Sequence, residues 1–104
     1  GVIQSLGFAL TEERLYEPTT GHLLSFGLEE YRIPGIGDAP EIATHYEEQG
    51  FEMMKGGACG LSELSSLPVA PALGNAVFNA TGWRPTELPL RPHRVLPNVS
   101  ARSE

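Results

Sequence analysis

The stretch PVAPALGNAVFNATG, residues 68–82, carries the clearest structural signal in the chain. Val69, Ala70, Leu73, Ala76, Val77 and Ala80 recur at steps of three and four, which lines them along one face of a helix. Pro68 and Pro71 fall at its first turn, where a missing N–H removes no helical hydrogen bond, and Gly82 follows as a stop. An apolar stripe at this spacing predicts a core-facing helix.

Upstream, Val2, Ile3, Leu6, Ala9 and Leu10 repeat the same periodicity and predict a second helix ending near Leu10. Gly1 opens the chain with this pattern already under way and without an initiator methionine, so a piece of a longer or processed chain is expected. From Arg14 to Phe26 the pattern becomes strand, turn, strand, with Pro18-Thr19-Thr20-Gly21 as the turn and Gly21 suited to a left-handed position. Pro34, Gly35, Gly37 and Pro40 make the next segment a loop. Glu41 to Tyr46 reads as a strand, Thr86 to Leu90 as a short edge strand, and Pro92 to Leu96 as a helical turn. The expected fold class is therefore α+β, with two main helices packed on a small, mainly antiparallel sheet.

Composition bounds the function. The chain's 104 residues support at most one domain, and 40% hydrophobic against 19% charged content belongs to a folding chain, not a disordered one. Thirteen acidic and seven basic residues give a net charge of -6, which repels a phosphate backbone, so no nucleic-acid partner is expected. Cys59 is the single cysteine, which excludes an internal disulfide, a four-cysteine zinc site and an iron-sulfur cluster held by this chain alone, and fits a cytoplasmic location. No apolar run approaches the roughly 20 residues that cross a bilayer, so no membrane association is expected. His22, His45 and His93 follow no zinc spacing, and no metal ligand is assigned to the chain.

Chemistry concentrates in Gly57-Ala58-Cys59-Gly60-Leu61-Ser62-Glu63, where glycines let the backbone approach a ligand just before the helix that begins near Pro68. Taken by itself, Glu63 reads first as an exposed acid at a helix start, favoured by the helix dipole. Together with Leu67-Pro68-Val69-Ala70-Pro71-Ala72, however, the segment resembles the loop-helix motif GAKGVGEPPLIPVAPA of the molybdenum hydroxylases, the xanthine dehydrogenase and aldehyde oxidase family. Ala9-Leu10-Thr11-Glu12-Glu13, Tyr31-Arg32-Ile33-Pro34 and Asp38-Ala39-Pro40-Glu41-Ile42 resemble that family's ALTEE, YKIP and DVPEI segments. Asn75-Ala76-Val77, Ala80-Thr81-Gly82, Leu88-Pro89-Leu90 and Arg94-Val95-Leu96 resemble its C-terminal signatures. The order and spacing of these matches run from about Gly1 to Leu96.

The resemblance implies the C-terminal part of a large subunit, with residues 1–96 belonging to a larger molybdopterin-binding domain and residues 97–104 forming a flexible tail. It implies a molybdenum-pyranopterin cofactor in the complete subunit, with iron-sulfur clusters and FAD on partner domains or subunits. It implies hydroxylation of a small-molecule substrate, an aldehyde or aromatic N-heterocycle, with oxygen derived from water. Glu63 falls at the family's general base, and Leu61 and Ser62 are the expected backbone contacts to the cofactor. Alone, without the remainder of the subunit, the chain is expected to be inactive. Cys59, Ser62 and Leu64 depart from the family's usual lysine, glycine and proline. Those departures keep open an alternative, a non-catalytic interaction or scaffold module that retains the family fold.

Overall fold

The computed structural model describes residues 1–99, and its regular elements are all helical. Helix α1 spans Val2–Leu10, α2 Ser62–Ser66, α3 Val69–Thr81 and α4 Pro92–Val95, with single 3-10 turns at Ile36–Asp38 and Leu96–Asn98. Helix α1 packs against α3 and against α2, and that packing is the centre of the structure. Ala9 is completely buried and Ser5, Gly7 and Leu90 nearly so. On α3 the half-buried stripe is Val69, Leu73, Val77 and Thr81, with Ala70 and Gly74 beside it, while Ala76 and Ala80 face outward. The helix stops where expected, at Gly82 with φ +77°, whose N–H donates to the Phe78 carbonyl.

The expected α+β fold is not formed: among the described residues there is no strand and no sheet. The turn after Tyr16 does form. Glu17 accepts from the Thr19 and Thr20 amides, Gly21 closes the turn at φ +72°, and Leu24 N–H donates to the Leu15 carbonyl at 2.7 Å. Pairing ends there, as one isolated bridge between Tyr16 and Leu23. Glu41 to Tyr46 runs exposed without a ladder partner, and Thr86 to Leu90 is irregular. β-branched and aromatic residues fit a pleated surface only when a neighbouring strand and a packed face exist, and the helices here supply neither. Residues 97–99 end the described chain in and just after the second 3-10 turn; the rest of the expected tail, residues 100–104, lies outside the described residues.

Two clasps hold distant segments onto the end of α1. Thr11 Oγ donates to the Arg32 carbonyl at 2.7 Å, and Gly7 lies so close to the following turn that a Cβ there would stand 2.7 Å from Pro34 Cδ and 2.0 Å from Glu12 Oε1. From the other end of the chain, Leu90 N–H donates to the Ala9 carbonyl at 2.6 Å and Arg91 Nη2 to the Thr11 carbonyl at 2.8 Å. Glu13 then receives both arginines, Arg94 Nη2 in a hydrogen bond and Arg91 Nε at 3.1 Å without hydrogen-bond alignment. Among the described residues no helix is long and apolar enough to cross a membrane.

Candidate active site

The glycine-rich loop begins with two tight turns, Met54 N–H to the Phe51 carbonyl and Gly57 N–H to the Met54 carbonyl. Gly56 and Gly57 sit at φ +83° and +66°, left-handed positions that a side chain would strain. The chain then extends to Leu61 and enters α2 directly, with no side chain capping the helix. Inside α2 the serines turn back on the helix itself: Ser65 and Ser66 hydroxyls donate to the Ser62 carbonyl, and Ser66 also to that of Glu63. The first-turn amides have no side-chain cap and stand open to solvent.

Glu63 lies in that first turn. It is exposed, and among the described residues its carboxylate has neither hydrogen bond nor ion pair. Ser62 is likewise exposed. Leu61 and Leu64, on either side of them, line an open cleft of ≈ 540 Å³ together with Gly57, Ala58 and the half-buried Cys59. The opposite wall is the segment His45, Tyr46, Glu47, Glu48 and Phe51. The structure thus joins Leu61 to a preformed cleft and leaves Ser62 and Glu63 outside its lining.

Neither the far wall of the cleft nor the Glu13 cluster was singled out as a site by the sequence reading. Glu13 and Arg94 are 81 residues apart, and nothing local in either segment marks the pair. His45 and Glu47 carry no motif of their own; only the fold of the loop brings them opposite Leu61. Among the described residues no group of three or more His, Cys, Asp or Glu side chains is arranged to hold a metal ion.

Two titrations are displaced by local geometry. Glu17 is held down to about 2 by hydrogen bonds from the Thr20 side chain and from the Thr19 and Thr20 amides. The Tyr31 phenol is pushed up, first by its hydrogen bond to Glu12. Glu17 serves a turn, the Tyr31 phenol joins Glu12 across the chain, and neither adjoins Glu63 in sequence.

No family model matches the chain. Against individual proteins, it is 33% identical over 95 residues to the xanthine dehydrogenase molybdenum-binding subunit of Escherichia coli O157:H7, covering 91% of this chain and 13% of that protein. It is 30% identical over 94 residues to the aldehyde oxidoreductase molybdenum-binding subunit PaoC of Escherichia coli K12, covering 88% and 13%. It is also 35% identical over 80 residues to a Gluconacetobacter polyoxogenes protein named membrane-bound aldehyde dehydrogenase (pyrroloquinoline-quinone), covering 77% and 10%. The chain therefore spans roughly a tenth to an eighth of the length of these relatives.

Proposed function

This chain belongs to the family of molybdenum-binding subunits of xanthine dehydrogenases and aldehyde oxidoreductases, and from that membership we propose that it forms the C-terminal part of such a subunit's molybdopterin-binding domain and supplies the general base, Glu63. The observation that carries this reading is the position of Glu63 itself. It is an unpaired carboxylate in the first turn of α2, after a loop in which Gly56 and Gly57 take left-handed conformations. Uncapped amides at the start of α2 suit an anionic group held by backbone N–H donors. A Cβ at Gly56, Gly57 or Gly60 would meet nothing within 4 Å, so this face of the loop has room for a large group.

Bound beside this loop, the molybdenum cofactor supplies the two-electron redox chemistry, and electrons leave through iron-sulfur and FAD partners. Leu61 and Ser62 would hold it through their backbone, and Glu63 would take a proton from a water-derived hydroxyl presented to an electron-poor carbon. The substrate, an aldehyde or aromatic N-heterocycle, would exchange a C–H bond at that carbon for the C–O bond, the C–H electron pair passing to the cofactor and its proton to solvent. A positioned carboxylate contributes about 10²–10⁴-fold to such a proton transfer. The 104 residues alone are inactive, because the remaining cofactor contacts and the substrate pocket belong to the rest of the subunit.

The experiment is expression of the complete subunit with its partners, quantification of molybdenum, pterin and pyrroloquinoline quinone, and assay of aldehyde and N-heterocycle oxidation in wild type and Glu63→Gln. Molybdenum and pterin together with activity lost on substitution are expected. Quinone in place of molybdenum would transfer the chain to the chemistry named for the Gluconacetobacter relative. A properly matured preparation with neither cofactor would leave the scaffold module.

A further inference from the structure

Residues 27–58 join the Glu17 turn to the glycine-rich loop as an arm with no regular element but one 3-10 turn. Every residue from Gly35 to Gly50 is exposed. Its backbone hydrogen bonds to other backbone groups are confined to local turns, and Ile36 and Met53 are 99% and 97% exposed, with Tyr46 and Ile42 also open. Seven acidic residues against two basic ones give the arm a net charge of -5, His45 counted neutral, out of -6 for the whole chain. The cleft at its end combines apolar Phe51, Leu61 and Leu64 with Glu47 and Glu48.

We propose that this arm is an acidic docking surface for another segment of a subunit of the relatives' length, one that presents large apolar side chains flanked by Lys or Arg, with the cleft as its socket. The inference rests on the family reading above, in which this chain is about an eighth of the subunit. The accessible surface is 8466 Å², whereas a monomer of this mass exposes roughly 5,700 Å², an excess larger than the ~800 Å² per partner of a standard interface. Charge selects the occupant: a basic segment is attracted, while a second copy would set one -5 arm against another. Filling the cleft immobilises Leu61 and Leu64, which bracket Glu63, so docking also positions the base.

Hydrogen exchange on the complete subunit tests the proposal, in wild type and in the double variant Glu47→Lys, Glu48→Lys, at low and high salt, with molybdenum measured on the same samples. Amides of residues 40–49 are expected to be protected in wild type and to exchange about tenfold faster in the double variant or at high salt, while α3 keeps its protection. Exchange at the unprotected rate in wild type overturns the proposal. So does protection that variant and salt both leave unchanged, and so does protection lost on dilution, which would assign the surface to a second copy. A salt-sensitive, protected arm in a subunit without molybdenum would sustain the docking surface and refute the cofactor reading alone.

Discussion

At the scale of single residues, Glu63 and Glu13 are two carboxylates with opposite situations. Glu63 is exposed and unpartnered at the start of α2, whereas Glu13 is largely enclosed and shared by Arg91 and Arg94 from the far end of the chain. Glu13→Gln leaves two partly buried guanidiniums with one weakened acceptor, and is expected to lower the stability of the complete subunit by about 1–2 kcal/mol in urea unfolding, between the values of surface and buried pairs. Gly7→Ala drives a methyl into Pro34 and Glu12, and is expected to cost about 1–3 kcal/mol by overpacking in the same measurement. Glu63 was legible in the sequence only through its resemblance to a motif, because an acid at a helix start is by itself ordinary. Glu13 was not legible as a clasp at all, since its partners lie 78 and 81 residues away.

At the scale of elements, α1, α3 and the turn of α4 were readable, whereas α2 was not expected as a helix of its own and the expected strands do not form. Helix α3 is specified within its own sequence, by an i, i+4 stripe, prolines at its first turn and a glycine whose left-handed φ ends it. Gly82→Ala is therefore expected to destabilise by about 1 kcal/mol, measured by thermal unfolding monitored by circular dichroism. A strand is specified by what lies beside it, and Glu41 to Tyr46 has nothing beside it among the described residues. The Glu17 turn lies between these cases, since Thr19, Thr20 and Gly21 build it locally while the flanking residues pair only once. Glu17 titrates at about 2, below its ordinary 4.5, so its contribution to the turn is present above the ordinary value and lost as pH falls toward 2. Carbon-detected NMR of the Glu17 carboxyl should place its midpoint well below those of the other glutamates; a midpoint among them would refute the Thr19 and Thr20 hydrogen bonds.

At the scale of the whole molecule, the chain has a radius of gyration of 18.0 Å, where a compact domain of this length measures about 13 Å. Few residues are fully buried, and Phe26, Leu28, Ile36 and Met53 lie open. The isolated 104 residues are accordingly expected to bind a hydrophobic dye and to show an expanded radius in small-angle scattering, and the complete subunit to hide the same surface. The apolar positions that suggested a strand, Ile42 and Tyr46, lie exposed with no partner strand among the described residues. On the proposed function, Glu63 has to be tested in the complete subunit with its cofactor. The decisive measurement is the pH dependence of turnover per bound molybdenum for wild type and Glu63→Gln. The expected result is equal molybdenum content with a rate about 10²–10⁴-fold lower and the acid limb of the profile gone; equal molybdenum with an equal rate and an unchanged profile would contradict the assignment of Glu63 as the base.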